Sequence, residues 1–371
     1  MTASGIATVA RQEFRLRIRA GRWRWLLGIW FAILAAFTLL LRGALSRGFT
    51  NEDIDSKGTV VYGGLMLFVL GLALLVVPAL AAQSVNGDRE RGTLATLQVT
   101  RLSAAEITFG KFAAAWVTAL VFLGLTLPLV VFAMTQKGVP IGRVVVVTLV
   151  IAVLLGTVCA ISLALSALLS RTTTSGVLAY LSVFALAIGT LIVFGLVTAV
   201  TTEEYTDSYE NSCPTAAELP PDMSAAEREQ ILSSCVAGRQ TFTATRARTD
   251  RTWWLLAPNP FVILADAAPA LPEETEAQRR AREAREARGE FRTNARDLDP
   301  LGQIGSAVRD LREAPADTRA GAMPMSLPEE RKAVWPWGLA ANVVLAAGAL
   351  WLTTRRLHTP SRTLPRGQRV A

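Results

Sequence analysis

The amino-acid sequence predicts an all-α integral membrane protein with six transmembrane helices, an N-terminal interfacial helix and a large extracytoplasmic insertion between the fifth and sixth helices. Three observations carry that expectation. At 51% hydrophobic, 371 residues fit either a large soluble protein or a membrane protein, and the length of the apolar runs separates the two. Six runs fall near or above the roughly 17–25 residues of a bilayer crossing: Trp25–Leu41, Val60–Ala82, Phe112–Met134, Val144–Leu169, Ser175–Val200 and Ala333–Thr354. None of them holds Asp, Glu, Lys, Arg or His, and a soluble core helix rarely runs so far without charge. The second observation is the placement of basic residues, and the third is the long segment 201–332.

The first 24 residues read as a cytoplasmic basic helix. Arg11, Arg15, Arg19 and Arg22 recur at helical spacing, Phe14 and Ile18 lie on another face, and Trp23, Trp25 and Trp30 follow. That pattern suits a helix on the inner membrane surface that turns into the first span, as well as a plain topogenic charge cluster. A cleavable signal peptide is not expected, because the basic stretch is long and the apolar run after it is of span length. Within residues 25–200, spans one to five lack the membrane-depth carboxylates and histidines that proton- or ion-coupled carriers use. Energy for any transport is therefore expected to enter through a loop. Ser162, Ser166 and Ser170 form an i,i+4 row that reads first as a packing face, and Pro78 and Pro128 are candidate kinks.

Orientation follows from the short loops, where Lys and Arg accumulate on the cytoplasmic side. Six spans put both termini on one side. That side holds Arg11, Arg15, Arg17, Arg19, Arg22, Arg24, Arg89, Arg91, Arg101, Lys111, Arg171, Arg355, Arg356, Arg362, Arg366 and Arg369, against Glu13, Asp88, Glu90 and Glu106. The segment 201–332 has 23 acidic and 17 basic residues instead. The overall charge of +8 thus sits where the membrane rule places it, and nucleic acid is not an expected partner.

The polar stretch Asn86–Lys111 lies between the second and third spans. Asp88 and Glu90 suit the first turn of a helix, and Leu94 and Leu97 give it one apolar face. Ser103 with Glu106 three residues on fits a capping box that opens the helix of the third span. Such an element can insert into a groove of a soluble protein or lie on lipid.

The spacing of Glu90, Gly92-Thr93-Leu94, Leu97, Ser103, Glu106 and Gly110-Lys111 resembles the cytoplasmic loop of ABC-2 type permeases, the membrane subunits of ABC exporters. The resemblance implies that loop 83–111 docks on an ATPase subunit, with Glu90, Arg91, Gly92, Thr93, Leu94, Leu97, Gly110 and Lys111 as its coupling residues. It also implies an assembly of two permeases, identical or homologous, with two ATP-binding subunits, and ATP and Mg bound on the ATPase alone. The chain itself has no G-x-x-x-x-G-K-[ST] phosphate loop: Gly110-Lys111 is followed by Phe112 and lacks the upstream glycine. The only histidine, His358, is in the tail, so neither a catalytic centre nor a metal site is expected.

The extracytoplasmic segment divides into three parts. Glu203–Gly238 is acidic and holds Cys213 and Cys235, which in an oxidising compartment can close a loop of about 23 residues worth roughly 3 kcal/mol; Cys159 stays a free thiol. The stretch from Thr252, TWWLLAPNPFVILADAAPAL, is broken by Pro258 and Pro260 and reads as interfacial or re-entrant. Glu273–Asp299 reads as a solvated charged helix, with Glu286 near Arg282. The chain from there to Pro328 is expected to be flexible, and 355–371 forms a cytoplasmic tail. The functional reading is an ABC-2 permease subunit in a cell inner membrane, the lipid bilayer its medium, moving a lipid-like, drug-like or polymeric substrate outward. A membrane-anchored extracytoplasmic receptor or scaffold, and a stand-alone channel or carrier, are the alternatives.

Overall fold

The structure, a computed structural model, describes residues 2–19, 21–48, 57–92, 102–211, 219, 223–234, 238–272, 275–289, 298–313 and 332–358. The chain is mostly helical, and six of its described helices are long and apolar enough to cross a membrane. In order these are α2 (Arg22–Gly48), α3 (Lys57–Ala81), α5 (Ala104–Gly124) continued by α6 (Leu127–Thr135), α7 (Ile141–Leu168), α8 (Thr172–Phe184) continued by α9 (Thr190–Val200), and α15 (Trp335–Leu357). Two shorter helices precede and interrupt this series: α1 (Ala3–Arg19) and α4 (Asn86–Glu90).

The core forms around α3 and α7, whose faces are apolar all round, as expected of helices buried by neighbours on several sides. Val61, Leu65, Val69 and Leu70 of α3 and Ile151, Leu154 and Leu155 of α7 are fully buried in one cluster with Leu34 of α2. Trp23 and Trp30 of α2 stand edge-on to Phe122 of α5, with ring centroids 5.4 and 5.1 Å apart, a geometry favoured by the ring quadrupoles. The α8–α9 span, with a π turn at Ala185–Gly189 between its halves, is by contrast exposed over most of its length.

The third span, expected as one run over 112–134, is two helices. The chain breaks at Leu125 and Thr126, where the Thr126 hydroxyl donates to the Leu123 carbonyl (2.6 Å) and Pro128 enters the first turn of α6. Proline tolerates a first turn because its missing N–H has no partner there. The helices also extend past their charge-free cores, so Lys111 and Arg143 lie inside α5 and α7 and are 0% and 1% exposed. A run ended at its first charge underestimates a helix whose charges find partners.

The segment 201–332 is not all-α. Strand β1 (Thr202–Asn211) pairs antiparallel with β2 (Gly238–Ala247), from Thr202 opposite Ala247 to Asn211 opposite Gly238. Thr241, Thr243 and Thr245 with Phe242 carry the β preference of branched and aromatic side chains, a period-2 signal masked by the segment's acidity. Helix α10 (Ala225–Ser234) lies between the strands. Cys213 and Cys235 fall outside the described residues.

The proline-broken stretch folds as α11 (Thr249–Thr252), a 3₁₀ turn at Trp253–Leu255 and α12 (Pro260–Ala267). Asn259 caps α12, its side chain accepting from Phe261 and Val262 N–H (2.9 and 3.3 Å). Ile263 and Leu264 are fully buried in the main core, so α12 enters the bundle. Helix α13 (Glu276–Glu286) is solvated and carries the Arg282–Glu286 pair. The stretch expected to be flexible contains a further helix, α14 (Pro300–Asp310), with Leu301, Gly305 and Val308 buried on one face. It seats on α3 and α12, where Gly63 and Gly305 leave space: a Cβ on either would fall 2.8 Å from Pro300 Cγ or the Ala265 carbonyl oxygen. Asp266 of α12 ties this layer together. Its carboxylate receives Arg309 of α14 and the N–H groups of Val334 and Trp335 (both 2.7 Å) at the start of α15.

Candidate functional site

Helix α4 hangs between α3 and α5 and is stitched to its neighbours on both sides. The Ser166 hydroxyl of α7 accepts from the Val85 and Asn86 N–H groups (both 3.1 Å), two donors with no partner inside so short a helix. Ser175 donates to the Ala82 carbonyl (2.8 Å), and the Asn86 amide donates to the Arg171 carbonyl (3.4 Å). Glu90 in turn accepts the Thr172 N–H (3.3 Å) at the start of α8. Ser162 and Ser166 are buried in α7, and Ser166 holds α4 to the turn between α7 and α8, whereas Ser170 lies past the end of α7 and is exposed.

Lys111 is the centre of the base. Its ammonium, fully buried, donates to the carboxylates of Asp88 on α4 and Glu13 on α1, and to the Ser84 carbonyl (3.0 Å). All three donors of the group are thus used. Helix α1 runs alongside α5 in parallel. Thr2 donates through its N–H and hydroxyl to Glu106 (2.6 and 2.8 Å), Val9 lies against Gly110, Glu13 meets Lys111, and Arg17 donates to the Ala114 carbonyl and Thr118 hydroxyl (3.2 and 3.0 Å). A Cβ on Gly110 would fall 2.6 Å from Val9 Cβ, so glycine is what lets the two helices touch. Burial lowers the pKa of the Arg17 guanidinium from its ordinary value, opposed by the charge of Glu13. The Ser103–Glu106 capping box is formed, with Glu106 N–H to Ser103 Oγ at 3.3 Å and Ser103 N–H to Glu106 at 2.8 Å.

These contacts divide the sequence-derived residues into two sets. Glu90, Arg91 and Gly92 are exposed at the tip, and Gly92 takes φ 69°, a left-handed conformation that suits glycine. Gly110 and Lys111 are buried at the base and meet α1 and α4 rather than solvent. Thr93, Leu94 and Leu97 lie outside the described residues. Sequence reasoning missed Glu13 and Asp88 as the partners of Lys111. The available signal was that Glu13 is the single acid in a basic helix. Among the described residues no three His, Cys, Asp or Glu side chains gather as metal ligands would.

Six apolar helices with a short, anchored polar loop between the second and third define a multi-pass membrane protein. A family profile described as ABC-2 family transporter protein matches residues 7–266, from α1 through most of α12, and the chain belongs to that family. Membership makes it an ABC transporter permease, a membrane transport component of a kind that associates with an ABC ATP-binding subunit. Comparison with curated proteins gives no match.

Proposed function

We propose that this chain forms the membrane pathway of an ABC-2 exporter in a cell inner membrane, with both termini cytoplasmic and segment 201–332 on the far side. Two permease copies, identical or homologous, work with two separate ATPase subunits that bind ATP and Mg; the chain itself hydrolyses nothing. The substrate class is lipid-like, drug-like or polymeric. The observation that carries this reading is the division of the 86–111 loop into an exposed tip and a buried, ion-paired base. A push on Glu90, Arg91 and Gly92 passes through α4 to Lys111, and from Lys111 into α5 and α1 together. Helix α1 lies along the start of α5 and, with Arg11, Arg15 and Arg19 exposed, suits the anionic face of the inner leaflet.

The test is purification from native membranes in mild detergent, with mass spectrometry of co-eluting proteins, for wild type and for a swap of residues 86–92. A soluble ATPase recovered with wild type alone supports the reading. A folded permease that brings down no ATPase refutes it. Glu90→Gln keeps an acceptor for the Thr172 N–H and removes the charge, so it is expected to uncouple ATP hydrolysis from transport while the spans stay folded.

A further inference from the structure

Two ion pairs that fasten the segment 201–332 differ in how completely they are satisfied. Asp266 is fully used: Arg309 reaches both its carboxylate and its carbonyl (2.8 Å for the latter), and two backbone N–H groups take the other oxygen. The second pair joins α7 to the cap of α14. Arg143 Nη2 donates to Asp299 Oδ2 (2.6 Å), and the same oxygen accepts the Gly302 N–H (3.0 Å). Among the described residues, Arg143 Nε and Nη1, Asp299 Oδ1 and the Tyr62 hydroxyl are all buried without a hydrogen-bond partner. Tyr62 precedes Gly63, whose Cβ position lies 3.4 Å from Asp299 Oδ1. Three buried donors and a single buried acceptor oxygen are thus left unused.

A guanidinium presents its donors as a fork that matches two oxygens of one anion. Asp299 engages it through a single oxygen, Oδ2, which also caps α14, and leaves Oδ1 unused. We propose that Arg143 and Tyr62 form a recognition site for an oxyanion, the phosphate or carboxylate group of an amphiphile, and that Asp299 is a tethered stand-in that fills it while α14 is seated. The ligand's second oxygen takes Nε or Nη1, and a further oxygen takes the Tyr62 hydroxyl. Access is from the end of α7, where Ile141, two residues before Arg143, is 70% exposed. Displacing Asp299 unseats the cap of α14 and leaves the Asp266 pair intact. The proposal does not depend on the ATPase partner.

The test uses the full chain in phosphatidylcholine nanodiscs, with dodecyl phosphate as probe and inorganic phosphate and dodecyl maltoside as controls. Asp299→Asn, which keeps an N-cap acceptor, is expected to bind dodecyl phosphate about tenfold or more tightly than wild type, the range that charged hydrogen bonds supply. Adding Arg143→Gln removes that gain, and adding Tyr62→Phe reduces it. In wild type, saturating dodecyl phosphate is expected to speed amide exchange across Leu301–Asp310. Because that readout needs no substitution, it decides the matter if the variants misfold. The same response to inorganic phosphate identifies the anionic group alone as the ligand, and a response to dodecyl phosphate only identifies an amphiphile. Equal affinity in wild type and Asp299→Asn, or unchanged exchange in wild type, overturns the proposal.

Discussion

Replacing Lys111 by Met isolates the base of the 86–111 loop. The ammonium is fully buried and holds Asp88, Glu13 and the Ser84 carbonyl, whereas the two carboxylate side chains are 12% and 19% exposed. Removing one partner of a buried ion pair costs about 3–5 kcal/mol, because the other charges stay behind unpaired. Partial access of water to Asp88 and Glu13, and the Arg91 contact to Asp88 (3.1 Å), bring the expected cost to the lower end, about 3 kcal/mol. Spent on local opening, that is about a hundredfold faster amide exchange in α4 and the first half of α1, with α3 and α7 unchanged. Methionine keeps the volume, so packing is not the variable. A chain carrying Asp88→Asn and Glu13→Gln as well has no buried charge left to strand and is expected to recover most of the protection. The assay is hydrogen exchange with mass spectrometry on the purified protein. Exchange in α4 within threefold of wild type would refute the view that Lys111 clamps the loop.

Four further outcomes are expected. Gly110→Ala drives a methyl into Val9 and costs about 1–3 kcal/mol in thermal unfolding; the penalty shrinks in a Val9→Gly background, and an unchanged penalty denies the α1–α5 contact. Asp266→Asn leaves one acceptor oxygen for the two sets of donors, Arg309 and the α15 N–H groups, and loosens α14 and α15 together by about 3 kcal/mol, read as faster exchange across Leu301–Asp310 and at Val334 and Trp335. Hydrogen bonds and charge from Arg248 hold the carboxyls of Glu203 and Asp250 below their ordinary pKa values. Their stabilisation of the ribbon's base is therefore present above the unfolded carboxylate pKa of ~4 and is lost as pH falls through the depressed values; Arg248→Gln should flatten the melting profile in that window. Finally, the expected Cys213–Cys235 bond predicts a shift in non-reducing gel mobility that Cys213→Ser abolishes.

How much was legible in the sequence varies with the range of the interaction that decides each element. The spans follow from charge-free runs, and the Ser103–Glu106 box from residues three apart, so both could be read locally. The break before Pro128 could be suspected but not located. Helix α14 was missed because a short polar stretch containing Leu301, Ile304 and Val308 has no reason to order until α3 and α12 supply a seat. Lys111–Glu13 and Arg143–Asp299 join residues 98 and 156 positions apart, and nothing in either neighbourhood announces the partner. At the candidate site, the motif marked a loop, and only the fold separates its exposed tip, Glu90 to Gly92, from its buried anchor.

The position of Asp266 has a consequence for biosynthesis. Its carboxylate waits inside the protein for the N–H groups of Val334 and Trp335, which leave the ribosome 68 and 69 residues later. Until the last span arrives, a buried anion has one oxygen unanswered, a state that a low-dielectric interior penalises heavily. A chain truncated before Val334 leaves that oxygen without its two backbone donors and loosens the contact of α12 with α15. Helix α15 thus supplies two donors that α12 does not find in its own stretch of chain.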